Sequence, residues 1–346
     1  MVSFDEIERL AREAAVPVRA EGLLPLVRVC DLPDEPEPVD WVCEGLLIRG
    51  EATLLVSRPK VGKSTLARHL ASCVLEGRPF LGRPCARGPV VLALAEEIRG
   101  YVRECFRRSG AAWSPDLHLV DLPLPPDGPS LTPETLCATA RSVGAVLVVA
   151  DTLQRCFPLK DPNDYAETTA LLARMQQAAR ENGVAFLATH HSNKRAGEHD
   201  DHALGVMGSN GLFGAATVLA TMGRDERGVW LHTEGRYGRN IPRTYVRLIE
   251  DTQSLEALGT SEEVRGREAR EEILRAVEES PGIARSDLLD RVGGKRSVSN
   301  RALEELVREG LIVRSGDGQR GSPYTFRLPG LEKEEEDDAQ GRLLAG

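Results

Sequence analysis

The sequence predicts an α/β fold on a mainly parallel sheet, followed by a smaller helical module. Three observations predict it. From Trp41 to about Thr260, short apolar runs alternate with longer helical stretches. Several runs, such as residues 145–151 (AVLVVAD), are apolar at almost every position, the pattern of strands covered on both faces. Beyond Thr260 the order becomes helix, helix, helix and hairpin, which spells a winged helix-turn-helix.

Strands are expected at residues 52–57, 89–95, 117–121, 145–151, 184–189, 216–221 and 229–232, with helices at 64–76, 97–109 and 166–182. In the second module, helical periodicity covers 262–279, and Pro281-Gly282 breaks it. Helices at 284–292 and 297–309 then lead into strand-like pieces at 311–315 and 324–328. The expected organisation is an N-terminal helix (4–15) and Pro- and acid-rich connector in 1–40, an α/β domain in 41–260, a winged helix domain in 262–329, and an acidic tail in 330–346.

Composition narrows the classes. The 346 residues are 41% apolar and 28% charged, enough to bury a core, which excludes a disordered or fibrous chain. No apolar run approaches the ~20 residues that span a bilayer, so no membrane partner is expected. The acidic opening MVSFDEIERL lacks the apolar stretch of a signal peptide. The seven cysteines are scattered and never spaced CxxC, as in reduced cytoplasmic proteins without a disulfide framework or zinc site. The net charge of −9 comes partly from the tail, where LEKEEEDDAQ holds six carboxylates, so it neither supports nor excludes DNA binding. Only six of 44 basic residues are lysines, which makes each lysine informative.

The first strand, ATLLVS, runs into RPKVGKST and then a helix. Strand, loop and helix in that order form a P-loop, whose backbone N–H groups surround phosphates at a helix N-terminus. The expected ATP-binding set is Ser57, Pro59, Lys60, Val61, Gly62, Lys63, Ser64 and Thr65. Gly62 lets backbone approach the nucleotide, Lys63 carries charge to the β- and γ-phosphates, and Ser64 places a hydroxyl on Mg²⁺. Ser57 replaces the first glycine of the motif.

The remaining candidates end other strands. Asp151 closes AVLVVAD, where a carboxylate suits shared metal binding with Ser64, or else caps a helix. Glu96 and Glu97 close VVLALA; Glu96 is the candidate to activate water, against an ordinary acidic helix start. His191 follows VAFLAT and could sense the γ-phosphate, against a structural histidine pair. Arg236, in EGRYGR, could reach a neighbouring subunit's phosphate, against an ordinary surface arginine.

Taken in order, these segments resemble the RecA-like ATPases, in particular the RepA-type hexameric replicative helicases of plasmids and phages. DWVCEGLLIRGEATLLVSRPKVGKSTLA resembles that family's lead-in and P-loop. RPFLGRPCARGPVVLALAEE resembles the strand bearing its catalytic glutamate, and AVLVVADTLQRC its Walker B. ATHHSNK and EGRYGR resemble its phosphate sensor and the segment of its arginine finger. The resemblance spans about Trp41 to Pro242 and implies ATP with Mg²⁺, a hexameric ring, single-stranded DNA in a central channel, and catalytic roles for Lys63, Glu96, His191 and Arg236. It also turns the loop 154–165, with Arg155 and Lys160, and the loop after Lys194 towards that channel.

In the C-terminal module, Lys295, Arg296, Ser299, Asn300 and Arg301 open the third helix, and Arg320 sits in the wing loop. Cationic and polar residues there suit a recognition helix in duplex DNA, though winged helices also dock proteins. Three functions remain open: a DNA helicase, a recombination or repair ATPase that does not unwind, and a nucleotide-switched DNA-binding regulator.

Overall fold

The computed structural model describes residues 26–35, 38–160, 165–191 and 216–330. The unit up to Val39 contains, in its described residues, the 3-10 turn Val29–Asp31. The expected helix at 4–15, Lys194 and the tail from 331 lie outside the described residues.

The second unit begins with a short antiparallel hairpin, β1 (Trp41–Cys43) and β2 (Leu47–Ile48). Then follow β3 (Ala52–Ser57), α1 (Lys63–Glu76), β4 (Val90–Leu94), α2 (Arg99–Arg108), β5 (Leu117–Leu119), α3 (Pro133–Ser142), β6 (Leu147–Asp151), α4 (Leu153–Cys156), α5 (Tyr165–Asn182) and β7 (Ala185–His191). Four strands come next: β8 (Val218–Asp225), β9 (Gly228–Gly235), β10 (Thr244–Ile249) and β11 (Ser254–Thr260). All except the hairpin join one nine-stranded sheet of order β11-β10-β9-β8-β3-β7-β6-β4-β5.

From β8 to β5 the strands run parallel. The other half, β9 to β11, is antiparallel. The sheet is therefore mainly parallel, as expected, with an antiparallel extension along one edge. Hairpin-connected strands need no crossover helix, so this edge grows by antiparallel addition.

Alternate residues of the central strands feed two cores. Leu55, Leu92 and Val149 face one core with α1, while Leu54, Val91 and Val148 face another with α3 and α5. Helices on both faces explain why the strands carry no polar alternation. The P-loop edge is fixed by this burial, because a one-residue slip of β3 would exchange its two apolar sets.

The C-terminal part contains α6 (Ser261–Glu279), β12 (Ile283–Ala284), α7 (Arg285–Val292), α8 (Arg296–Arg308), β13 (Val313–Ser315) and β14 (Thr325–Arg327). The three strands form a small sheet of order β12-β14-β13. Ile273, Leu288, Leu303, Leu306 and Phe326 build a separate core among these elements. Thr260 starts α6 with a capping box, exchanging bonds with Glu263. Arg227, in the turn between β8 and β9, pairs with Glu268 of α6 at 2.9 Å and ties this part to the large sheet. Among the described residues, no helix is long and apolar enough to cross a membrane.

Candidate nucleotide site

β3 delivers Ser57 to the sheet edge, and α1 begins six residues later at Lys63. Gly62 precedes it with φ +122°, a conformation that a side chain would strain. Lys63 is buried, and its ammonium donates to the carbonyl of Ser57 (3.2 Å) and to its hydroxyl (3.0 Å). The serine in place of glycine thus adds an acceptor for the lysine. Burial pulls the Lys63 pKa down to about 8, with Asp151 and Glu96 pulling the other way. An ammonium held by its own loop, short of countercharge, is what an incoming phosphate oxygen would relieve.

Three neighbouring strands bring the other candidates to this edge. β7 runs two residues beyond the expected stretch, so that His191 pairs in register with Ser57. Its Nδ1 lies 3.0 Å from Nζ of Lys63. An ammonium only donates, so Nδ1 accepts and Nε2 carries the proton of the neutral ring. Burial and then the Lys63 charge hold His191 below the usual histidine range.

Asp151 ends β6 and is buried, accepting a hydrogen bond from the Thr189 hydroxyl on the adjacent strand. Among the described residues, no three His, Cys, Asp or Glu side chains cluster as an all-protein metal site. Mg²⁺ takes one or two protein oxygens and fills its shell with phosphate and water. The donor set of Ser64 and Asp151 fits this habit.

The two glutamates differ in their surroundings. Glu97 forms a buried ion pair with Arg68 of α1, whose side chain is only 5% exposed. Glu96 stays more open, accepts from the Thr152 hydroxyl at 3.1 Å, and lies 3.5 Å from Arg155. Arg155, expected at DNA, therefore sits on the candidate catalytic carboxylate. Arg68, Thr152 and Thr189 were not singled out from sequence. Nothing in their spacing announces partners 29, 56 and 38 residues away.

Arg236 is elsewhere. It follows β9, whose Gly235 pairs with Val218 beside the start of β3, on the edge opposite the P-loop. It cannot serve the phosphate site of its own chain. Lys160 is exposed, and its backbone N–H donates to Glu167 at 3.0 Å.

In α8, Ser299 is buried and its hydroxyl donates to the Gly293 carbonyl at 3.1 Å. It closes the turn before the helix, which corrects the expectation of a DNA contact there. Asn300 accepts from Arg285 at 3.0 Å, while Arg296 and Arg301 are exposed in ion pairs with Asp290 and Glu262. Lys295 and Arg320 are exposed.

A family described as AAA domain matches residues 17–197, more than half of the chain and the whole stretch from P-loop to His191. The chain belongs to this AAA domain family. Its P-loop core is of the RecA-like kind, with one strand, β7, between the P-loop strand and the strand ending in Asp151. Membership implies nucleotide binding at the P-loop.

No curated protein matches this AAA domain chain. Among solved structures, it is similar to a DnaB-like replicative helicase determined with its interactions with primase, at 14% identity and a TM-score of 0.47, over 60% of this chain and 57% of that one. The AAA domain chain thus spans little more than half of that helicase. It is also similar to a KaiC-like protein from Pyrococcus horikoshii OT3, at 13% identity and a TM-score of 0.42, over 64% of this chain and 99% of that one.

Proposed function

We propose that this protein is an ATP-hydrolysing motor acting on DNA, of the RepA-like replicative helicase kind, working as a ring of copies, six by analogy with that family. The observation that carries the reading is the meeting of Lys63, His191, Asp151 and Glu96 at the ends of, or just beyond, four adjacent parallel strands. Lys63 holds the β- and γ-phosphates. Ser64 and Asp151 hold Mg²⁺, which neutralises phosphate charge when bound. Glu96 orients and deprotonates the attacking water, and Thr152 fixes its carboxylate. His191 offers its Nε2–H to the γ-phosphate. Arg236 completes the site of a neighbouring copy, since its own lies across the sheet.

Within this reading, 41–260 is the motor domain and 262–329 a winged helix domain, with 1–40 leading in and 330–346 trailing as an acidic tail. Lys295, Arg296, Arg301 and Arg320 are its DNA-facing cations, and Lys160 and Lys194 serve the central channel. A nucleotide-switched DNA-binding regulator is the second reading, favoured by the Arg227–Glu268 tie between the sheet and α6.

ATP turnover measured with single-stranded DNA, duplex DNA and no DNA separates the two, beside a strand-displacement assay. The motor predicts DNA-stimulated turnover with displacement, lost in Lys63→Ala and Glu96→Gln. Slow, DNA-independent turnover with tight duplex binding would instead establish the regulator.

A further inference from the structure

Cys43 and Cys85 face each other across an antiparallel bridge. The Glu44 N–H donates to the Pro84 carbonyl (3.1 Å) and the Ala86 N–H to the Val42 carbonyl (2.9 Å). These bonds flank the two cysteines, so Cys43 and Cys85 form a non-hydrogen-bonded pair, the arrangement that brings opposed side chains closest. Cα atoms in such pairs lie ~4.5 Å apart, inside the ~4.4–6.8 Å range that a disulfide spans. Both thiols are free.

The two sulfurs are unlike. Cys43 is fully buried, and its thiol is pushed well up by hydrogen bonding to Cys85 and by burial. Cys85 is partly exposed and its thiol is pulled down, first by the Cys43 hydrogen bond and further by the Phe80 backbone and Arg78. By contrast, burial drives Cys73, Cys137 and Cys156 up to about 12, which leaves them inert.

We infer that Cys43 and Cys85 are an oxidisable thiol pair, with Cys85 the peroxide-reactive sulfur and Cys43 its resolving partner. The Cys85 thiolate attacks one oxygen of hydrogen peroxide, the O–O bond breaks, and the sulfur is oxidised to a sulfenic acid while the departing hydroxide takes up the proton the thiol released on ionising and leaves as water. The Cys43 thiol then attacks that sulfur, the S–O bond breaks, and the hydroxyl departs with the thiol proton as a second water. Two thiols and one peroxide become one disulfide and two waters.

The bridge staples the β1–β2 hairpin to the segment before β4. Arg83 of that segment donates to the carbonyls of Arg239 (2.9 Å) and Asn240 (3.1 Å), and Glu44 of the hairpin pairs with Arg239 at 2.6 Å. Oxidation therefore stiffens the base of the turn that carries residues 236–240.

The test treats the full chain with hydrogen peroxide, alkylates remaining thiols under denaturing conditions, and maps peptides by mass spectrometry. The expected product is a Cys43–Cys85 cross-link, lighter by two hydrogens, reversed by dithiothreitol and accompanied by a Tm several degrees higher. Cys85→Ser abolishes the cross-link, and Cys43→Ser accumulates a dimedone-reactive sulfenic acid at Cys85. Both cysteines recovered alkylated after peroxide, or Cys85 found joined to Cys73 or Cys30, would overturn the inference. Should Cys43→Ser fail to fold, the parent and Cys85→Ser chains decide the matter alone.

Discussion

Nζ of Lys63 lies 3.0 Å from Nδ1 of His191, across 128 residues of chain. The contact joins the helix that would hold a triphosphate to the strand whose end would register its loss. With Lys63 depressed to about 8, part of the ligand-free protein carries a neutral lysine at mildly alkaline pH. A bound triphosphate favours the charged form, so binding above pH 8 takes up a proton. Calorimetry in buffers of different ionisation enthalpy should show that uptake, with affinity falling as pH climbs past 8. Lys63→Met should remove the uptake and weaken binding at least tenfold.

Arg68 and Glu97 make a second prediction. Removing one partner of a buried ion pair strands the other charge, at a typical cost of about 3 kcal/mol. Denaturant unfolding should show Arg68→Ala destabilised on that scale. Glu96→Gln, at the more open carboxylate, should keep parental stability and nucleotide affinity while turnover falls by about 10²-fold or more.

Acid sensitivity should come from buried histidines. Burial is the first cause that lowers both His69 and His190 to about 4. Neutral His69 accepts the Leu255 N–H at 3.2 Å and so joins α1 to β11. The unfolded chain, with ordinary histidines near pH 6.5, binds protons that the folded chain refuses until pH 4. Stability should therefore be full above pH 6.5 and decline as pH falls towards 4. His69→Asn should flatten part of that slope in pH-dependent unfolding.

Because Arg236 lies across the sheet from its own P-loop, Arg236→Ala should bind nucleotide normally and lose turnover. Mixing it with Lys63→Ala should restore measurable activity, since mixed assemblies contain an intact P-loop beside an intact arginine. Silence in every mixture would remove Arg236 from the site.

Much of this was legible in the sequence where local chemistry decides the structure. The run ATLLVS and the loop RPKVGKST gave β3 and α1 within a residue, because burial on both faces and a turn-to-helix signal act locally. The antiparallel half was harder: β10 buries Thr244 to Val246 but exposes Arg247 to Ile249, so its pattern is broken. The two- and three-residue strands of the β1–β2 hairpin are too short to show a period. Site pairings were hardest. Nothing local says that Arg68 takes Glu97 and leaves Glu96, or that β7 continues to His191, because register is set by strands distant in sequence.

The most direct test is a crystal structure with Mg²⁺ and a non-hydrolysable ATP analogue. The account predicts that the Lys63 ammonium leaves the Ser57 carbonyl for the β- and γ-phosphates, with the metal between Ser64 and Asp151. A nucleotide bound elsewhere, with Lys63 still bonded to Ser57 and His191, would contradict it.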